Sequence, residues 1–237
     1  VAGREIAHEL GCDVGMIIVK ATSKSNDWHV YHRGNLGGST AGTQRLLLNL
    51  TNATYANSTI WNNTDATSTE FTIGGSPDIN DTGQEYIAYL FAHDPLGASG
   101  DGSDGMIACG SYVGNGSTNG PEIDLGWEPQ YVLCKCSSAA DIWTVSDSIR
   151  GIVSGGTGAY LQPQSSSAET AYDLFSLQPN GFKVTTIASR ANTNAQTYIY
   201  MAIRRPMKTP LSSDEVFAID NMNSTKPAYS SGFPIDY

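Results

Sequence analysis

The sequence predicts an all-β protein made of two tandem antiparallel β-sandwich domains, jelly-roll-like and related by internal duplication. Apolar and polar residues alternate over short runs, as in strands with one buried face. Charged residues make up only 15% of the chain, well below the roughly 25% of an average soluble domain. Gly, Asn, Ser and Thr are abundant, which suits turns and strands. The third observation is an internal repeat.

The repeat joins a segment that begins at Leu10 to one that begins at Leu125. LGCDVGMIIVKATSKSNDWHVYHRG aligns with LGWEPQYVLCKCSSAADIWTVSDSIRG, and further along INDTGQEYIAYLFA aligns with ANTNAQTYIYMAIR. The final SGFPIDY resembles LGWEPQY, so a third copy is expected to begin there. Aromatic residues recur at matched positions and are expected in the structural core: Trp28 with Trp143, and Tyr86 with Tyr198.

Five strands are predicted in each half, separated by turn signals such as Pro77-Asp78 and Pro179-Asn180-Gly181. The segment REIAHELG is predicted as strand or loop, because its counterpart PEIDLG begins with Pro121 and is too short for a helix. The predicted strands are MIIVKA, WHVYH, RLLLNL, EFTIG and EYIAYLFA in the first half, and YVLCKC, IWTVSD, AYLQPQ, FKVTTI and TYIYMAI in the second.

These elements divide the chain into four parts. Residues 1–97 are expected to form the first sandwich, 98–109 a linker with a lead-in strand, 110–208 the second sandwich, and 209–237 the start of a third repeat or a C-terminal extension. The two sandwiches are expected in series, as a stiff rod whose interfaces bury the sheet ends.

Composition and motifs narrow the function classes. The formal net charge of -10 disfavours nucleic acid and anionic membranes as partners, because their phosphates repel an acidic surface. No run of about 18 apolar residues occurs, so no membrane insertion is expected. No signal peptide is visible at Val1, and the chain is expected to be an excised or processed piece. No hydrolase, phosphate-binding or dinucleotide motif occurs, so neither a catalytic residue nor a cofactor is predicted.

No metal site is predicted either. The segment DGSDG, residues 101–105, has Tyr112 where an EF-hand loop needs its last carboxylate, and it is expected to be a flexible linker. The cysteines lack the CxxC spacing of a zinc site. They are expected as buried free thiols: Cys12, Cys109, Cys134 and Cys136.

The segment NDWHVYHRG carries two histidines, His29 and His32, that invite a metal or acid–base interpretation. Residues three apart in a strand point to opposite faces of the sheet, so the two rings are not expected to converge. His32 is expected on the buried face, whereas His29 and Tyr31 are expected to face outward. The second copy lacks both histidines but keeps the tryptophan, which indicates a structural role for the segment.

Two aromatic residues are candidates for ligand binding. Tyr55 and Trp61 lie in TNATYANSTIWNNTDATST, where core periodicity is less obvious than in the flanking segments. Exposed aromatic rings there would stack on sugars. The alternative interpretation is that both rings pack in the core, as most rings in β domains do.

A series of motifs resembles a family of tandem β domains in virion structural proteins of tailed phages, particularly marine phages and cyanophages. The motifs are GSYVGNGSTNGPEIDLGWEPQYVLCK, WHVYHRG, STIWNNTDATSTEFTIG, YIAYLFAHDP and YIYMAIRRP, followed by EVFAID and SGFPIDY. The first copy departs from the pattern at Cys12, where the second has Trp127, and it lacks the GSYVGNG lead-in found at Gly110.

The resemblance implies a virion-surface component, such as a tail fibre or appendage, that is not an enzyme. Expected partners are other copies of the chain in a homotrimer, other virion proteins and a host-surface glycan. The alternative is a carbohydrate-binding module or a polysaccharide depolymerase. A depolymerase would need a groove with two carboxylates ~5–10 Å apart.

Overall fold

The computed structural model describes residues 1–36, 40–97, 100, 104–152 and 158–205, and in these residues the chain is almost entirely β. The expected third repeat, 209–237, lies outside them, as do residues 98–99 and 101–103 of the expected linker. Residues 1–205 form one compact unit. Below, the first half means residues 1–97 and the second half residues 104–205.

The strands are short and mostly follow the predicted alternation. The first half contains β1 Arg4–Ala7, β2 Val14–Ala21, β3 His29–His32, β4 Gln44–Leu47, β5 Tyr55–Ala56, β6 Glu70–Ile73 and β7 Tyr86–Ala92. The second half contains β8 Ile107–Val113, β9 Glu122–Asp124, β10 Pro129–Cys136, β11 Trp143–Asp147, β12 Ala159–Tyr160, β13 Thr170–Ala171, β14 Phe175–Gln178, β15 Gly181–Val184 and β16 Thr197–Arg204.

Two short helices and a 3-10 turn interrupt the strands: α1 Pro77–Asn80, α2 Ser189–Asn192 and the turn Ala41–Thr43. The sequence prediction placed only a turn at Pro77. Ser76 accepts a hydrogen bond from the backbone N–H of Asp78, and Pro77 occupies the first helical position, so α1 has a regular N-terminal cap. No helix among the described residues is long and apolar enough to cross a membrane.

Each half is organised around one larger antiparallel sheet. Sheet 1 has the strand order β5-β4-β3-β2-β7, and sheet 2 has the order β11-β10-β16-β8. Matched residues have matched partners, since Lys20 pairs with Ile87 in sheet 1 and Lys135 pairs with Ile199 in sheet 2. This agreement in register is the one expected from the repeat in the sequence.

Smaller sheets cover the outer faces of the two larger ones. Strands β1 and β6 pair in the first half, and β14, β15 and β9 form a three-stranded sheet in the second. Here too the register agrees, because Ile6 lies opposite Phe71 and Ile123 lies opposite Phe182. Segment REIAHELG therefore contributes a strand, as predicted, and not a helix.

The described residues form three apolar clusters, and one of them is shared by both halves. One cluster belongs to the first half and includes Ile17 and Phe71, and another belongs to the second half and includes Val132 and Phe182. The shared cluster joins sheet 1 to sheet 2 through Met16, Val30, Leu46, Cys109, Leu133, Trp143, Ile199 and Met201. The halves therefore stack face to face, whereas the sequence suggested contact through the sheet ends.

This stacking changes the expected burial of β3. His29 and Tyr31 were expected to face outward, but they are only 1% and 3% exposed. The expectation is wrong because sheet 1 is a middle layer: Tyr31 packs in the first-half cluster while Val30, on the opposite face, packs in the shared cluster. The two histidines do lie on opposite faces, as predicted.

The four aromatic residues predicted in the core differ between the halves. Trp143 and Tyr198 are fully buried, as predicted. Trp28 and Tyr86 are only half-buried, which corrects the expectation for the first half. Sheet 2 covers the outer edge of β16 with β8, but among the described residues no strand pairs with the outer edge of β7.

Candidate functional site

A cluster of polar side chains surrounds α1 in the first half. The Arg45 guanidinium bonds to a carboxylate oxygen of Asp78 at 3.0 Å, and its Nη1 lies 3.4 Å from His29 Nδ1. The same guanidinium lies over the ring of Tyr55, 4.5 Å from the ring centre. These residues come from β3, β4, β5 and α1, so the fold brings together positions that the sequence does not connect.

Electrostatics in this cluster favour a neutral histidine beside a fixed ion pair. Burial, with the positive charge of Arg45, lowers the pKa of His29 to about 4. Burial alone would raise the pKa of Asp78, but the hydrogen bond from Arg45 and nearby positive charge hold it below its ordinary value. At neutral pH the cluster therefore presents one guanidinium and one carboxylate that already neutralise each other.

The two residues that were candidates for stacking on a ligand differ in exposure. Trp61 is 1% exposed and packs edge-on against Tyr31, with 5.8 Å between ring centres, so its faces cannot receive a sugar. The candidate role of Trp61 in sugar stacking is therefore wrong, and the alternative interpretation holds, because the ring belongs to the first-half core. Tyr55 is half-buried, with Arg45 on one side of its ring, and it stays a candidate for contact with a ligand.

His32 belongs to the contact between the halves. Its Nδ1 accepts a hydrogen bond from the backbone N–H of Gly34 at 3.1 Å, so Nε2 carries the proton and donates to the carbonyl oxygen of Tyr200 at 2.9 Å. Burial lowers the pKa of His32 to about 4. The ring is thus a neutral, fully bonded group, and the prediction that it performs no chemistry is consistent with this geometry.

The cysteines are reduced thiols in this structure. Cys109, Cys134 and Cys136 are buried as predicted, whereas Cys12 is half-buried, which corrects that expectation. Within the described ranges, no group of three or more His, Cys, Asp or Glu side chains could hold a metal ion. Cys109 packs so closely on β2 that a side chain at Gly15 would approach its sulfur to 2.6 Å, which explains the glycine.

Lys135 is a buried charged residue that the sequence prediction did not single out. Its side chain is fully buried, and Nζ donates to the carbonyl oxygens of Cys136 at 2.5 Å and Ala139 at 3.4 Å. Burial lowers its pKa. The matched Lys20 donates to the carbonyl of Asn26 and lies near the Trp28 ring, so the repeat itself is the signal that could have identified this structural role.

Two surface pockets accompany these clusters. One, of about 250 Å³, lies beside β7 and is lined by Val19, Ile79, Tyr86 and Ala88, among others. The other, of about 290 Å³, lies beside β9. Its two carboxylates already have partners, because Glu122 pairs with Lys183 at 2.8 Å and Asp124 accepts the backbone N–H of Gly126 at 2.9 Å.

Comparison with known proteins identifies a family. Neither the curated proteins nor the solved structures include a match to this chain. The sequence model of one family, described as a domain of unknown function (DUF7483), matches residues 1–206. This match covers both halves and all of the compact unit, so the chain belongs to the DUF7483 family.

Proposed function

We propose that the chain is a structural component of a tailed-phage particle, a tail fibre or surface appendage that displays its loops outside the virion and does not act as an enzyme. The observation that carries the proposal is the apolar cluster shared by the two halves. A shared core resists bending between the halves, and rigid display requires this. The motifs quoted above, which resemble virion proteins, point the same way.

Hydrogen bonds across the shared core support a rigid unit. Trp143 Nε1 donates to the carbonyl of Leu47 at 2.9 Å, and His32 joins Tyr200 at 2.9 Å. Backbone bonds add to these, since the N–H of Thr54 donates to the carbonyl of Ser137 at 2.7 Å. In the proposed role, the partners are other copies of the chain, as a homotrimer, and other virion proteins.

Antibody labelling of purified particles tests this proposal. Antibodies raised against the chain would be applied to density-purified phage particles from a host culture that expresses the gene, and the particles viewed by electron microscopy. We expect label at a fixed position on intact particles. Detection of the chain only in the soluble fraction of the lysate, with particles free of it, would contradict the proposal.

We infer glycan contact at Tyr55 as a second candidate function, that of a carbohydrate-binding module. The half-buried ring is held by the Arg45 guanidinium and stands beside the Arg45–Asp78 ion pair, and a sugar site combines such a ring with polar groups.

A glycan array would compare the wild type with Tyr55→Ala. Tyr172→Ala is the matched control, because Tyr172 is also partly exposed and lies against Arg190. Binding lost only in Tyr55→Ala is expected, and equal signals from all three proteins would refute the inference.

A further inference from the structure

A small polar pocket of about 180 Å³ lies where β2 begins and β3 ends. Asp13 and Val14 line it at the start of β2, Tyr31 and Arg33 line it at the end of β3, and Asp65 lines it from the loop before β6. It shares no lining residue with the pockets beside β7 and β9. The pocket is therefore a separate feature of the first half.

Arg33 has an unused hydrogen-bond donor at this pocket. Its Nη1 is shielded from solvent and has no hydrogen-bond partner within the described ranges. Asp13 Oδ2 lies 3.6 Å from this atom, which is too far for a hydrogen bond. A shielded N–H group without an acceptor costs free energy. The Arg33 side chain is 34% exposed and lines the pocket, so an acceptor that enters there can reach the guanidinium and remove this cost.

The second half shows that the shared fold does not require this arginine. By backbone hydrogen bonding Ser148 is the counterpart of Arg33, since each N–H bonds to the matched carbonyl at the start of the neighbouring strand. Arg150, which the sequence repeat aligns with Arg33, pairs instead with the carboxylates of Asp147 and Glu169. An arginine without a hydrogen-bonded acid is therefore particular to the first half, and a role in folding common to both halves does not explain it.

The other polar groups of the pocket are held in place by backbone amides. The hydroxyl of Tyr31 accepts the N–H of Ala66 at 3.2 Å, and burial raises the pKa of Tyr31 to about 12, so the hydroxyl keeps its own hydrogen at neutral pH. One carboxylate oxygen of Asp65 accepts the N–H of Gly42 at 2.6 Å. The pocket therefore offers two donors, a guanidinium and a hydroxyl, beside two carboxylates.

This set of groups selects a neutral ligand with several hydroxyls. The two carboxylates repel an anion, and the guanidinium repels a cation. Ionised carboxylates only accept hydrogen bonds and a guanidinium only donates them, whereas a hydroxyl does both. Adjacent hydroxyls of a sugar ring can therefore bond to all of these groups at once. The volume of about 180 Å³ is below the roughly 300 Å³ at which pockets for drug-sized ligands begin, so it fits one sugar unit.

We propose that this pocket binds one neutral sugar unit, whose hydroxyls accept hydrogen bonds from Arg33 and Tyr31 and donate to Asp13 and Asp65. The dissociation constant expected for a single sugar is on the order of millimolar. The site is distinct from the ring of Tyr55. This inference goes beyond the proposed function and does not rest on it, because sugar binding is measured on the purified chain alone.

Amide NMR of the isotope-labelled full chain tests the proposal. Glucose, galactose, mannose and N-acetylglucosamine are titrated separately as free sugars, because binding this weak does not survive the washing of an array. At least one sugar is expected to shift the amides of Gly42 and Ala66, which bond to pocket groups, along a saturating curve. Acetate and inorganic phosphate are the anion probes. Saturation by either anion, or by none of the four sugars, would overturn the proposal.

Variants assign the binding to the pocket. Arg33→Gln removes the guanidinium and should weaken binding about tenfold or more. Arg150→Gln is the matched control at similar exposure, 37% against 34%, and should bind like the wild type. Asp65→Asn keeps an acceptor for Gly42 but loses one for the sugar, and it is the second pocket variant in case Arg33→Gln does not fold, which circular dichroism checks. Tyr55→Ala should keep this binding, which separates the two sites. Unchanged affinity in the folded pocket variants, or equal weakening in Arg150→Gln, would contradict the assignment.

Discussion

His29 and His32 show how burial, and not spacing, decides what a histidine pair does. Each ring is buried on a different face of β3, and each has a pKa lowered to about 4 with burial as the largest cause. The rings are neutral at pH 7 and too well enclosed to exchange protons with a substrate. The lowered pKa values affect folding stability, because in mild acid the unfolded chain binds protons at these histidines that the folded chain does not.

Stability is therefore expected to fall in mild acid. A histidine with a depressed pKa contributes fully above its unfolded value of about 6.5, and the contribution is lost as the pH falls from there toward about 4. For His32 the loss between pH 7 and pH 5 is about 2 kcal/mol. Urea unfolding at the two pH values measures it. His32→Gln keeps a donor for Tyr200 and should flatten the pH dependence; an unchanged slope in His32→Gln would contradict this assignment.

Trp143 is expected to matter more to stability than its counterpart Trp28. Its indole N–H bonds to the buried carbonyl of Leu47 in the other half, and the ring is fully buried. Trp143→Phe leaves a cavity and an unmatched carbonyl, and should lower the free energy of unfolding by about 3 kcal/mol. Trp28→Phe, at a half-buried ring stacked on Tyr89, should cost about 1 kcal/mol or less. Denaturant unfolding of the two variants checks the order, and equal losses would count against the shared core.

The short helices α1 and α2 are each held by two hydrogen bonds between the backbone and a tyrosine hydroxyl. The hydroxyl of Tyr198 accepts the N–H of Thr193 and donates to the carbonyl of Ser189, and the hydroxyl of Tyr86 does the same with Asp81 and Pro77. Each hydroxyl therefore bridges the carbonyl of the first helical residue and the N–H of the residue that follows the helix. This explains why a tyrosine recurs at this position even though Tyr86 is not a full core residue.

An asparagine occupies the last position of each helix. The two asparagines are expected to contribute different amounts to the free energy of unfolding. Asn192 is fully buried, and its amide donates to the carbonyls of Thr186 at 2.8 Å and Ser117 at 2.7 Å. Asn80 is half-buried and donates to Gly74 and Val1. Asn192→Ala should cost about 3 kcal/mol of unfolding free energy, because buried carbonyls lose their donor. Asn80→Ala should cost about 1 kcal/mol. Thermal and urea unfolding compare them, and a larger loss in Asn80→Ala would refute this order.

The elements that the sequence predicted correctly are those with local signals. Alternation located β2, β7, β10 and β16, and the repeat predicted their matched register. Helix α1 was missed because a single turn has no periodicity, although Ser76-Pro77 is a cap signal. The sequence left open whether Trp61 packs in the core or faces a ligand, because its burial depends on distant strands: the carbonyl of neighbouring Ile60 accepts the N–H of Gly74.

At the scale of the whole molecule, the stacking of the two halves could not be predicted from a sequence pattern. Alternation indicates that a strand has a buried face but does not say what covers it. Sheet 1 and sheet 2 each have two apolar faces, one toward the outer strands and one toward the other half. The polar cluster around Arg45 was likewise unpredictable, because its members come from four separate elements.

The central claim is that the two halves fold as one unit through the shared core. Hydrogen exchange measured by mass spectrometry over a series of sub-denaturing urea concentrations tests it on the unmodified chain. The account predicts that amides of β2 and β10 open with the same free energy and the same dependence on urea, because neither half can unfold without exposing the other. Amides of one half that open at clearly lower free energy, with a smaller dependence on urea, would contradict it.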